Sequence, residues 1–86
     1  MRVLLPASLT RLFPGSTAEL EIEAADVAGL IAALEARWPG MRDRLCDATP
    51  ALRRHINIFV QGRRARLDTI LPPDEEVVIL TAISGG

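Results

Sequence analysis

The chain has 86 residues, of which 49% are apolar and 24% charged, and its formal net charge is −1. This composition predicts one small globular domain, and the near-neutral charge gives no general attraction to nucleic acid or to an anionic membrane. The single cysteine excludes an internal disulfide framework and a zinc site built on cysteines, and no apolar run approaches the ~18 residues of a membrane span. We therefore expect a cytoplasmic protein that binds no nucleic acid, no membrane and no metal.

The beginning of the chain predicts two paired strands. An apolar run over residues 2–5, stopped by Pro6, indicates a first strand. Alternation of glutamate with aliphatic residues over 19–23 indicates a second, half-buried strand. The connection over 7–16 has the pattern of a weak helical turn, and it is short enough to favour an antiparallel pair.

One amphipathic helix follows these strands. Asp26 is a suitable N-cap, and Pro39-Gly40 ends the helical pattern. The apolar residues at helical spacing form one face, which we interpret as core packing: Val27, Leu30, Ile31, Leu34 and Trp38. Trp38 is expected to bury the largest area of any side chain, and residues 41–45 are expected to add one helical turn.

The second half of the chain predicts two or three further strands. Residues 55–60 alternate, with Asn57 and Phe59 on the face opposite Ile56, Ile58 and Val60. A turn over 61–63 leads to a short strand containing Ala65 and Leu67, and the last strand covers 76–82.

The last strand decides the expected architecture. Val77 and Ile79 face one way and Val78 and Leu80 the other, and apolar residues on both faces indicate a central strand or an interface. Its best neighbour is the first strand, in parallel. We therefore predict an α+β domain over 1–82, with one main helix on a mixed four- to five-stranded sheet, and a flexible tail over 83–86.

The tail ends in Gly85-Gly86. Because neither residue has a Cβ atom, such an end can thread a narrow channel and bring the Gly86 carboxylate to a reactive group in another protein. The alternative is an ordinary frayed end without function.

Four segments of the chain resemble the MoaD/ThiS family of ubiquitin-like sulfur-carrier proteins. They are residues 3–9, 26–40, 57–62 and 73–86, with the terminal glycine pair as the specific motif. Two features depart from the family pattern: Thr81-Ala82 stands where the family often has a proline after the last strand, and the family's Asp-Gly-Asp-Glu turn is here residues 73–76, without glycine. Within the third segment, Gln61 stands where the family usually has Asn.

The resemblance implies a β-grasp fold and a carrier function. In the family, an ATP-dependent enzyme related to ubiquitin-activating enzymes adenylates the terminal glycine, here Gly86, and a sulfur donor converts the adenylate into a thiocarboxylate. The implied partners are this adenylating protein and a sulfur-accepting synthase subunit. The chain itself is expected to bind no cofactor, since ATP is used by the partner, and to act as a co-substrate rather than an enzyme. Residues 41–55 resemble the branch with molybdopterin-synthase small subunits and cysteine-synthesis carriers more than the compact thiazole-synthesis carriers. The molybdopterin, cysteine and thiamine pathways stay open, as does a role as the small subunit of a molybdopterin-synthase-like complex.

An adenylating partner must bind the domain and hold the tail extended. The outward residues Phe59 and Leu80 or Val78, with Ile83, Ser84 and Gly85 of the tail, are the expected contacts. For Phe59, packing under the irregular connection 46–54 is an equal alternative.

Other candidate residues have simpler interpretations. Cys46 is expected to be a buried or bystander thiol, and His55 a polar residue within its strand. Residues 74–76 form an acidic turn, and the arginines at 53–54 and 63–66 form either solvated turns or partner contacts. Two other functions stay open: a ubiquitin-like modifier joined through Gly86 to target lysines, and a non-catalytic binding module with an inert tail.

Overall fold

The computed structural model describes residues 1–49 and 51–81, and the predicted boundary between domain and tail at 82–83 lies outside this range. Eight elements occur in chain order: β1 (Arg2–Leu4), α1 (Ala7–Thr10), β2 (Glu19–Glu21), α2 (Val27–Arg37), α3 (Met41–Leu45), β3 (Ile56–Val60), β4 (Arg63–Arg64) and β5 (Glu76–Thr81). The strands form one mixed sheet in the order β2-β1-β5-β3-β4. No helix in the described part of the chain combines the length and apolar character needed to cross a bilayer.

The sheet pairs as the sequence predicts. β1 pairs with β2 antiparallel and with β5 in parallel, and Val3 lies opposite Val77. β5 also pairs antiparallel with β3, and Ile58 lies opposite Ile79. The most apolar strand is therefore central, and the two distant ends of the described chain are held together by backbone hydrogen bonds.

The core lies between one face of the sheet and the helices. The inward residues of the three middle strands are almost fully buried, as are the predicted apolar residues on α2: Val3, Ile58, Val77, Ile79, Val27, Leu30, Ile31 and Leu34. Trp38 is the C-cap residue of α2 and is partly buried against this core. Met41 and Leu45 of α3 are fully buried, so the extra helical turn contributes to the core.

Backbone N–H groups in the first turn of α2 donate hydrogen bonds to a segment far away in the sequence, residues 67–69. The backbone N–H groups of Val27 and Ala28 donate to the carbonyls of Thr69 and Leu67, at 3.1 and 2.9 Å. The side chain of Asp26 accepts from the third N–H, that of Gly29, at 2.7 Å, which confirms Asp26 as the N-cap. Because the first N–H groups of a helix have no partner within it, these bonds fix where α2 begins.

The short strand after the turn lies nearer the turn than the sequence predicts. Gln61 and Gly62 both have positive φ, 55° and 76°, and Val60 pairs with Arg63, so the connection is a two-residue hairpin of the type I′ kind. β4 therefore begins directly after the turn, and the strand predicted at Ala65 and Leu67 is wrong. Only the Ala65 N–H continues the pairing, with a 2.7 Å bond to the Ile58 carbonyl, before the chain turns toward α2.

Candidate functional site

The outer face of the sheet, opposite the helices, carries an apolar patch. Leu4 and Phe59 lie on either side of Val78, each directly opposite it on a neighbouring strand. Leu80 lies two residues further along β5, on the same face. We name these four residues the outer patch. They cross the three middle strands, so the most rigid part of the sheet positions them.

The outer patch is open to solvent. Leu80 is 45% exposed, and the other three side chains are partly exposed. Phe59 belongs neither to the core nor to the partly buried residues packed against it, and the alternative in which it packs under 46–54 stays open. Exposed apolar side chains that adjoin on a rigid surface are typical of protein-binding sites.

Charged residues border the outer patch on two sides. Next to Leu4 and Val78, Arg2 forms ion pairs with Glu76 and Glu19. The hydrogen bonds that Arg2 donates to Glu76, together with the nearby negative charge of Glu19, raise the pKa of the Arg2 guanidinium. On the other side, Arg64 of β4 lies opposite Phe59. A polar rim around an apolar centre is the usual layout of a protein interface.

The end of β5 is the last part of the chain before the predicted tail. Thr81 pairs with Ile56 on β3, and its hydroxyl shares a 2.9 Å hydrogen bond with the Ser8 hydroxyl of α1. The strand that leads toward Gly86 is thus held by a neighbouring strand and by α1 up to its last described residue.

The structure brings together part of the predicted site. Phe59, Val78 and Leu80 lie on one face, as the alternation predicts, and the sequence reasoning missed Leu4. The parallel register of β1 and β5 was the signal that could have found it, since Leu4 is opposite Val78. The remaining predicted residues lie outside the described range: Ile83, Ser84, Gly85 and Gly86. Their roles stay predictions.

The other candidate residues are not part of this face. Burial raises the pKa of the Cys46 thiol, which suits a structural cysteine rather than a nucleophile. His55 is exposed and immediately precedes β3. The strand therefore begins one residue later than the sequence predicts. Within residues 1–49 and 51–81, no three potential metal ligands among histidine, cysteine, aspartate and glutamate come together.

Solved structures resemble this chain along nearly its whole length. The crystal structure of the BexX/CysO complex from Amycolatopsis orientalis matches with a TM-score of 0.86 and 28% identity, covering 99% of this chain and 98% of that one. CysO of Mycobacterium tuberculosis, described as an antigen, matches with a TM-score of 0.83 and 26% identity over 95% and 98% of the two chains. SAMP1 from Haloferax volcanii matches with a TM-score of 0.77 and 25% identity over 100% and 98%.

The mixed sheet, its helices and these likenesses define a β-grasp, ubiquitin-like domain of the sulfur-carrier type, as the resemblance predicts. The model of the ThiS family matches residues 3–86, and the chain belongs to the ThiS family. Comparison with curated protein sequences gives no significant match.

Proposed function

We propose that this protein carries sulfur as a thiocarboxylate on Gly86. The observation that carries the proposal is the family match, which extends through the terminal glycine pair. Further support comes from β5, because the strand that leads into the tail is the central strand of the sheet. A central strand followed by a short segment that ends in two residues without Cβ atoms suits a carboxylate that must be presented inside another protein.

The chemistry needs two steps, both at the terminal carboxyl group. The Gly86 carboxylate attacks the α-phosphorus of ATP and displaces pyrophosphate, which gives an acyl-adenylate. A sulfide donor then attacks the carbonyl carbon and displaces AMP, which leaves a thiocarboxylate. The chain supplies only the acyl group, so it acts as a co-substrate, and the ATP site belongs to an adenylating partner related to ubiquitin-activating enzymes.

We infer that the outer patch is where such a partner binds. Its support is the exposed apolar surface of Phe59 and Leu80, bordered by the charged residues Arg2, Glu76 and Arg64. The first of the structural neighbours is a complex of two proteins, BexX and CysO. A second partner would then accept the sulfur, in a pathway to a molybdopterin-type cofactor, cysteine or thiamine.

Intact mass spectrometry tests the proposal. The protein, with no tag after Gly86, is co-expressed with an adenylating enzyme from its own genome. Replacement of one oxygen atom by sulfur is expected, and the change should disappear when Gly86 is deleted. Deletion should leave the Tm unchanged, which separates lost chemistry from lost folding.

Either of two other results would contradict this proposal and support a different function. Reductant-resistant adducts on lysines of other proteins, dependent on Gly86, would identify a ubiquitin-like modifier. An unchanged mass, with no acyl-adenylate formed from ATP and the partner, would identify a binding module with an inert tail.

A further inference from the structure

Four arginines from two distant segments meet around one cleft. Arg53 and Arg54 precede β3, and Arg64 and Arg66 lie in and after β4. All four line an open cleft of about 570 Å³, which we name the arginine cleft. Asp68 is the one acidic residue among its lining residues.

The positive charge of the arginine cleft is largely unbalanced. Asp68 approaches Arg66 at 3.7 Å, with both side chains more than 80% exposed, where an ion pair is weak. Arg53 donates its Nε–H to the Asp43 carbonyl at 2.6 Å, so a backbone oxygen holds it in place. Among residues 1–49 and 51–81, Arg54 and Arg64 form no ion pair with an acid. Clustered arginines repel one another, and a bound anion relieves that repulsion.

The floor of the cleft is apolar. Ile56 and Ala65 contribute surfaces that are 4% and 3% exposed, and Leu52 and Leu67 pack against the core beside them. A small inorganic anion would contact the arginines and leave the apolar floor uncovered. Arginines beside an apolar floor instead fit a ligand that has both carboxylates and an aliphatic side chain.

Beside the cleft, the described chain leaves one edge of β3 partly without a neighbouring strand. β4 pairs with β3 only at Val60 and Phe59, and one further bond reaches Ile58. The first two residues of β3, Ile56 and Asn57, pair with β5 but have no strand on their other side in the described chain. An extended peptide can bind at such an uncovered strand.

We propose that the arginine cleft binds an extended acidic segment of a partner protein. Carboxylates of the segment contact the arginines, and an aliphatic side chain of the segment covers the apolar floor. Ile56 lines the cleft and lies opposite Thr81, so β3 alone separates a segment bound there from the end of β5. Arg64 lines the cleft and lies opposite Phe59, so the cleft adjoins the outer patch. The binding does not depend on the chemistry at Gly86.

The surroundings favour an acidic peptide over nucleic acid. No aromatic side chain lines the cleft on which a base could stack. The whole chain has a net charge of −1, which gives no general attraction to a long polyanion. A short acidic segment needs to contact only the cleft.

Fluorescence anisotropy with a labelled peptide tests the proposal. The probe is a short peptide of aspartate and glutamate with one leucine at its centre. It should bind with an affinity that falls as salt rises, and the same peptide with amides in place of the carboxylates should bind much more weakly. The variant Arg54→Glu/Arg66→Glu should weaken binding by roughly tenfold or more. It leaves Arg53 and the outer patch unchanged.

A matched variant controls for net charge and folding. Arg11→Glu/Arg37→Glu makes the same change in charge at exposed positions outside the cleft, and it should alter binding by less than about twofold. Circular dichroism establishes that both variants fold. Equal weakening in the two variants, absent binding to the folded wild-type protein, or tighter binding of a single-stranded oligonucleotide at the cleft would each overturn the proposal.

Discussion

Phe59 and Val78 lie directly opposite each other on β3 and β5, and both side chains face away from the core. In an antiparallel pair, opposite side chains on one face are in contact. This contact joins the apolar surfaces of two strands, and Leu80 extends it along β5 toward the tail. The outer patch is thus a continuous apolar surface that the described part of the chain leaves partly exposed.

The outer patch should control binding to the adenylating partner. Replacing Leu80 by serine removes an apolar side chain that is 45% exposed and packs little within the domain. We expect the affinity for the partner to fall by roughly tenfold, because central apolar contacts dominate interfaces. Pyrophosphate exchange, measured against carrier concentration, would report this change as a raised KM.

Leu12→Ser is the matched control for that experiment. Leu12 is similarly exposed, at 49%, but lies between α1 and β2 and is not part of the outer patch. It should leave the KM unchanged. An equal rise in KM for both variants would argue against the outer patch as the docking surface.

Neighbouring residues on β5 should differ sharply in their effect on stability. Ile79 is 1% exposed and lies in the core, whereas Leu80 faces solvent. Ile79→Ala should lower the free energy of unfolding by about 2–5 kcal/mol, and Leu80→Ala by less than about 0.5 kcal/mol. Urea denaturation measures both. If Ile79→Ala does not fold, Ile79→Val should still cost about 0.5–1.5 kcal/mol, and similar costs at the two positions would contradict the assigned faces.

Replacing the first residue of the hairpin turn at Gln61-Gly62 should stabilise the protein. Gln61 has φ of 55°, a conformation that Asn adopts more readily than Gln, and the family usually has Asn there. Gln61→Asn should raise the free energy of unfolding by about 0.5 kcal/mol, even though it removes the exposed hydrogen bond from Gln61 Nε2 to Glu75.

The second turn residue provides the opposite test. Gly62 has φ of 76°, and a Cβ atom there would meet nothing within 4 Å. Gly62→Ala should therefore destabilise through backbone strain alone, by about 1 kcal/mol. A neutral Gly62→Ala variant in thermal or urea unfolding would mean that the turn has another conformation.

Glu35 should make stability depend on pH. Its carboxylate accepts hydrogen bonds from the backbone N–H groups of Arg42, at 2.9 Å, and Gly40, at 3.1 Å, and these bonds hold its pKa below the usual 4.5. A carboxyl group with a lowered pKa stabilises the fold above its unfolded pKa, and the contribution is lost as the pH falls through the folded value.

The variant Glu35→Gln isolates this contribution. It should have a lower Tm than the wild type at pH 7, and the difference should shrink as the pH falls below about 4.5. Other carboxyl groups titrate equally in both proteins, so the Tm difference reports Glu35. A Tm difference that stays constant down to acidic pH would show that the ionised carboxylate is not what joins α2 to α3.

Much of the fold could be predicted because the signals are local. The helical spacing from Val27 to Leu34, the N-cap Asp26 and the alternation in β3 and β5 depend on residues close together in sequence. The parallel pairing of β1 with β5 is a long-range feature, yet it followed from a strand that is apolar on both faces. Such a strand is stable only with neighbours on both sides.

The sequence by itself determined the order of the elements, the central strand, the faces of β3 and β5, and the resemblance to sulfur carriers. Tertiary structure alone decided the place of β4, the partial exposure of Trp38, the capping of α2 by residues 67–69 and the meeting of the arginines around one cleft. The physical reason is that each of these depends on contacts between segments far apart in the chain. Those contacts are set by turn conformation and packing, which no local pattern of residues specifies.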